Sequence, residues 1–152
     1  MAERKPQSFA NHTRFDPLFH FFLGPVFIFA VIWALIHFFR HVGRNGLHEN
    51  LHALGLIVLA IAALVLVFKM RLYALKVQDR IIRLEERIRL AQLLPEPLRS
   101  RIPELTVDQL CGLRFASDAE IPKLVERTLK ENLPRKEIKK SIQNWRPDYW
   151  RV

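Results

Sequence analysis

A chain of 152 residues allows one modest domain, and half of it is hydrophobic, with eleven Phe. Its net charge of +9 goes with a mean hydropathy near zero, the average of a strongly apolar part and a strongly charged one. The single Cys111 excludes an intramolecular disulfide and fits a reducing compartment; a small buried apolar residue is its simpler reading, ahead of a reactive thiol.

In chain order, residues 1–16 read as a polar, aperiodic arm, with Arg4, Lys5 and Arg14 against Glu3. Asp16-Pro17 predicts a helix start, an N-cap side chain followed by a residue that needs no N–H in the first turn. Leu18 to Phe39 then carries no charge, and its 22 residues are long enough to span a bilayer and too long for a cleavable signal peptide. Gly24-Pro25 inside this run removes a backbone hydrogen bond and predicts a kink. Ala30 and Ala34 form a small-xxx-small pair able to let another helix come close.

Gly43-Arg44-Asn45-Gly46 is a strong turn signal, so a second run over about 51–69 returns through the membrane, with Gly55, Ala60 and Ala63 as small packing residues. No Gly or Pro separates it from the charged stretch that follows. Leu51 to Leu94 therefore reads as one continuous helix, roughly 65 Å long at about 1.5 Å per residue. Lys and Arg number three in the arm, two in the connection and six just after the second run, namely Lys69, Arg71, Lys76, Arg80, Arg83 and Arg87. The positive-inside rule puts both termini in the cytoplasm. The same six side chains suit anionic headgroups, which accounts for the basic charge without nucleic acid.

Over 70–94, Met70, Ala74, Val77, Ile81, Leu84, Ile88 and Ala91 alternate in steps of four and three, the a/d repeat of a coiled coil. Asp79 with Arg83 and Glu85 with Arg89 stand at i,i+4 in the favourable order. The stripe has two readings, a seam with a second copy centred on Val77, Ile81, Leu84 and Ile88, or a face packed on the chain's own C-terminal part. From 95 to 152 the chain reads as short helices. Thr106 with Gln109 and Ser117 with Glu120 fit capping boxes, Pro122 suggests a loose opening turn, and Pro134 starts a last helix. In that helix Ile138, Ile142 and Trp145 share one face, and Arg135, Lys136, Lys139 and Lys140 stay in water. A module of this size is near the limit for an isolated core, so it should lean on the long helix.

Asn11-His12 with Asp16-Pro17 and His20, Tyr73 to Arg80 followed by Leu84-Glu85-Glu86-Arg87, Leu113 to Asp118, and Asn144 to Tyr149 together make the chain resemble an uncharacterised bacterial family. This is domain-of-unknown-function family six-five-two-six, a family of two-span membrane proteins. The resemblance runs almost end to end. It implies a bacterial cytoplasmic-membrane protein with no known activity, and no catalytic residue or cofactor to carry over. The histidines near the turn are not among the residues that carry it.

Those histidines form the sharpest chemical pattern in the chain. His48-Glu49-Asn50-Leu51-His52 matches H-E-x-x-H, which on a helix sets two imidazoles on one face for zinc, with Glu49 as general base. His37 and His41 close the preceding run, and a turn centred between Arg44 and Asn45 would bring all four imidazoles together for zinc or haem. The plainer alternative is a set of amphipathic rings at the headgroup level. His12 and His20 read as capping or packing residues.

These residues describe an all-α membrane protein: a two-helix transmembrane hairpin whose second helix continues into the cytoplasm as an amphipathic helix, followed by a small helical module. The expected role is a non-enzymatic anchor or scaffold at the cytoplasmic face of the bacterial inner membrane, homo-oligomeric, without a cofactor, and with an unidentified protein partner. A metal- or haem-binding protein, or a membrane metallopeptidase, is the alternative.

Overall fold

The computed structural model describes residues 6–13, 15–44 and 46–149. Arg4, Lys5 and Arg14 of the arm, Asn45 of the turn and Trp150 of the tail lie outside them. Among the described residues, those up to Thr13 and from Leu75 onward form one compact unit, and those from Phe15 through Ala74 form the other. Among the described residues the regular elements are all helices, and a single bridge pairs Ala116 with Trp145.

The Asp16 cap forms as expected, its carboxylate accepting from the N–H of Leu18 at 3.1 Å and of Phe19 at 3.3 Å. A π-helical turn, Leu18–Leu23, then leads into α1, Gly24–His41. Pro25 lacks an N–H and its ring crowds the preceding turn, so the chain enters α1 through a wider turn. Gly24 donates to the carbonyl of Phe19, five residues back, and a Cβ at Gly24 would stand 3.3 Å from that oxygen. The wide turn thus leaves little room for a side chain there. α1 ends where Val42 donates to Phe38 at 2.8 Å, and Gly43 follows with φ +80°, a conformation that favours glycine.

α2 runs unbroken from Leu47 to Leu93. It starts four residues earlier than the apolar pattern suggests, because Glu49 in its first turn suits the positive end of the helix dipole. Leu18–His41 and Leu47–Leu93 are both long and apolar enough to cross a membrane. Within this unit Phe19 meets Phe68 edge to face at 5.8 Å, and Ala34, Ala53 and Ile57 are buried.

The other unit gathers a 3₁₀ turn, Arg99–Glu104, with α3, Val107–Leu113, α4, Ile121–Glu131, and α5, Arg135–Ser141. The Thr106–Gln109 capping box is complete: Gln109 N–H donates to the Thr106 hydroxyl at 3.2 Å, and Thr106 N–H donates to the Gln109 amide oxygen at 2.9 Å. Only half of the second box forms. Glu120 accepts from Ser117 N–H at 3.2 Å, yet the Ser117 hydroxyl is buried without a hydrogen-bond partner and α4 begins only at Ile121, the residue before Pro122. Asn132 ends α4 at φ +48°, the left-handed cap that Asn tolerates. Leu90 and Leu94 pack into one core with Leu110, Leu113, Ile121 and Val125, so the module does lean on the long helix.

The last helix departs from its pattern in two ways. It stops at Ser141, so Trp145 is not on its face. The chain leaves the helix because residues 144–146 pair with 115–117: Ser117 donates to Asn144 at 3.0 Å and Arg146 to Phe115 at 2.7 Å. Lys139, expected in water, is 8% exposed, with its ammonium 5.1 Å from the centre of the Phe115 ring. Its stem covers apolar surface while the charge meets an aromatic face.

Residues 7–12 of the arm make specific contacts that its composition does not suggest. Gln7 makes two amide bonds to the Asp148 backbone, at 3.1 and 2.9 Å. The His12 ring donates through Nδ1 to the Phe9 carbonyl at 2.7 Å and lies 5.6 Å from the Trp145 ring. His20 bonds the Asp16 carbonyl at 2.8 Å. Both histidines therefore take the packing and capping roles expected of them.

Candidate functional site

From Leu75 onward α2 shows two different faces. One is inside the module: Ile82, Glu86, Leu90 and Leu94 recur every four residues and are all buried. The other is the a/d stripe, with Val77 57%, Ile81 52%, Leu84 62% and Ile88 54% exposed. Of the two readings of that stripe, packing on the chain's own C-terminal part is therefore not what the fold does. The module occupies the opposite side and leaves the stripe open.

Arg89 holds that arrangement in place. Its guanidinium donates to the Ala116 carbonyl at 2.7 Å, to Asp118 through Nε at 2.9 Å, and to Glu86 at 3.1 Å. The expected Glu85–Arg89 pair is not made, because Arg89 turns toward the module, where it satisfies a carbonyl and two carboxylates. Asp79 likewise takes a bond from the Cys111 thiol at 3.5 Å. Cys111 is fully buried, and burial, then the Asp79 carboxylate, push its thiol up to about 11. That is the inert cysteine the sequence suggests.

Glu86 is 4% exposed, with Arg146 at 3.6 Å on its other oxygen. Burial raises its carboxyl above the ordinary value of 4.5 and outweighs the opposing pull of Arg89, Arg146 and Arg114. Next to this node, Arg114 is 6% exposed, its Nε 3.3 Å from Asp148 and its guanidinium 4.6 Å from the centre of the Phe115 ring. Burial lowers the Arg114 pKa, against the pull of Asp148. Sequence reasoning missed this node. The signal was present, since Glu86, Arg114 to Asp118, and Arg146 with Asp148 all lie in the blocks that carry the family resemblance.

The raised Glu86 carboxyl has a defined consequence. The folded chain binds this proton more readily than the unfolded chain, so the group's stabilising contribution is full below about 4.5 and is lost as pH rises through the higher folded value. Glu86→Gln keeps an acceptor for Arg89 without the buried charge. We expect it to stay within about 1 kcal/mol of wild type at neutral pH, and wild type to lose ground to it as pH rises from about 4.5 through the higher folded value in chemical denaturation. A wild type that gains on the variant over that range would refute this account of the node.

The remaining candidates are placed as follows. Arg71 turns inward, 3.9 Å from Asp16 and 5.6 Å from the centre of the Phe19 ring, so it is not an open surface cation. Lys69, Lys76, Arg80 and Arg87 are exposed and Arg83 is half-buried. His48, Glu49 and His52 lie on the first turns of α2, exposed, as H-E-x-x-H requires. The rings of His37 and His41 stack at 4.5 Å, and His41 bonds the His37 carbonyl at 2.8 Å. Among the described residues, no group of three or more His, Cys, Asp or Glu stands where it could hold a metal ion.

Fold and site together define an all-helical protein with two helices apt for a membrane, a small helical module, and one open apolar helix face. The chain belongs to the family of unknown function DUF6526, whose model matches residues 1–152. No curated protein and no solved structure matches it.

Proposed function

We propose that this chain is a non-enzymatic anchor or scaffold of the bacterial inner membrane. It crosses the bilayer twice as a helical hairpin, keeps both termini and the C-terminal module in the cytoplasm, and acts as a homo-oligomer that receives a protein partner. One observation carries the reading: α2 is uninterrupted from an apolar run whose side chains, among them Leu51, Leu59 and Leu66, stay exposed, to final turns buried in the module core. A core helix of a soluble protein would bury such a run; a lipid-facing helix exposes it. The surplus of Lys and Arg after the second span supports the orientation. Lys69, Lys76, Arg80, Arg83 and Arg87 then attract anionic headgroups, with Arg71 engaged by Asp16 instead.

The test is accessibility in whole cells. Arg44→Cys, in the exposed turn, is expected to react with a membrane-impermeant maleimide from outside, and Ser100→Cys only after lysis. The reverse pattern would invert the orientation. A chain released from membranes by alkaline carbonate would end the membrane reading. The purified protein is expected to carry no stoichiometric zinc or haem, and a metal lost on Glu49→Gln or on replacing the four histidines would favour a metalloprotein instead.

A further inference from the structure

The open face of α2 carries more order than exposure alone. In heptad terms Ala74, Ile81 and Ile88 are a positions, and Val77, Leu84 and Ala91 are d positions. Of the residues buried in the module, Ile82, Glu86 and Leu90 then fall at b, f and c, the outer side of a two-stranded coil, and Leu94, at g, lies beyond the last d position, Ala91. The module therefore sits where it does not obstruct a partner helix. The flanking positions are charged in a specific order, with Arg80 and Arg87 at g and Glu85 at e. All three are exposed, and among the described residues none of them makes an ion pair within the chain.

We infer that the occupant of this face is a second copy of the same chain, in a parallel, in-register, two-stranded coiled coil centred on Ile81, Leu84 and Ile88. Three independent features select that arrangement. β-Branched Ile at a with Leu at d favours two strands over three or four. In a parallel coil each g residue faces the partner's e residue five positions on, so Arg80 meets Glu85 of the other copy twice, once on each side of the seam. An antiparallel coil would instead set g against g and oppose Arg80 to Arg87, two like charges. The third feature rests on the membrane reading above: two copies in one bilayer leave it in the same direction, and only a parallel coil satisfies both. The seam has just two and a half heptads and tapers to Ala74 and Ala91, so in solution it would be marginal. Confinement of both copies to one membrane raises their effective concentration and compensates for its length.

Full-length protein in phosphatidylcholine–phosphatidylglycerol vesicles provides the test. The native Cys111 is buried, so wild type serves as the blank for oxidative cross-linking. Val77→Cys and Ala91→Cys lie at opposite ends of the stripe, and each is expected to link to itself at least ten-fold more than Lys76→Cys on the flank. Linking between Val77→Cys and Ala91→Cys only when the two variants are mixed would show an antiparallel pair, and equal linking at all three positions would show random encounter; either overturns the proposal. Arg80→Glu is expected to cut the Val77→Cys link several-fold, and adding Glu85→Arg to restore it. Failure of the restoration overturns the register. None of these side chains is buried in the module, so its folding is not at stake. Flotation of the same vesicles reports the membrane reading separately: a chain that stays behind in the aqueous fraction refutes the anchor, whereas the cross-links still judge the seam.

Discussion

Arg89→Ala is expected to unfold the C-terminal module, or to leave it open to proteolysis at temperatures where wild type resists. The substitution removes the bonds to Ala116, Asp118 and Glu86 together, and leaves a carboxylate that is 4% exposed with Arg146, at 3.6 Å, as its remaining ion-pair partner among the described residues. Breaking a buried pair from one side costs about 3–5 kcal/mol, a large fraction of the stability of so small a unit. Arg89→Lys is expected to recover little, because one ammonium cannot reach a carbonyl and two carboxylates in the fork geometry that a guanidinium provides. Adding Glu86→Gln to Arg89→Ala should recover part of the loss, since the orphaned charge is then gone. Denaturant titration of the single and double variants measures this. A double variant as unstable as the sum of its parts would show that Arg89 acts through the Ala116 and Asp118 bonds alone.

Phe115→Ala is expected to be at least as damaging. Phe115 has no exposed surface, and its ring lies 5.1 Å from Trp145, 6.1 Å from His12, and under the cations of Arg114 and Lys139. Truncating a buried Phe costs about 3–5 kcal/mol through lost transfer energy and the cavity left behind. Here it also takes the aromatic face from two largely buried cations, which then sit against a void. Phe115→Leu restores most of the volume without the face, and is expected to cost roughly 1–2 kcal/mol. Near-ultraviolet circular dichroism follows the loss, because the Trp145 ring reports the packing at this point. Equal stabilities for the Leu and Ala variants would show that the ring's electrostatics, not its volume, hold the cluster together.

Neither residue stands out in the sequence, and the reason is common to both. A capping box or a helix start involves residues within four positions, so Asp16 and the Thr106–Gln109 pair announce themselves locally, and both form. The Ser117–Glu120 box has the same local signature but competes with long-range bonds. Glu120 also accepts from the backbone of Gln143 at 3.2 Å and of Asn144 at 3.3 Å, and Pro122 sets where the helix begins. Likewise the 3.6-residue period of the last helix runs on through Trp145 in the sequence. The chain leaves it at Ser141 to pair with residues more than twenty positions away.

The fate of a charged side chain is less legible in the sequence than that of an apolar one. Lys139, Glu86, Arg89 and Arg114 all look like solvated side chains in isolation; Lys139, Glu86 and Arg114 are buried and Arg89 half-buried, each against a partner from a distant segment. Arg71 reads in the sequence as one of six membrane-surface cations, and in the fold it lies against Asp16 and Phe19.

The sequence by itself determined the two long apolar runs, the unbroken helix between the second of them and the charged stretch, and the periodic stripe along that stretch. All three follow from composition and spacing over neighbouring turns, where burial of apolar surface and backbone hydrogen bonding act without reference to the rest of the chain. Only the tertiary structure decided which side of α2 the module covers. Ile82, Leu90 and Leu94 offer one apolar face, and Val77, Ile81, Leu84 and Ile88 another. The choice between them rests on Arg89 reaching Ala116 and Asp118 and on Glu86 meeting Arg146, contacts between segments far apart in the chain that no local pattern encodes.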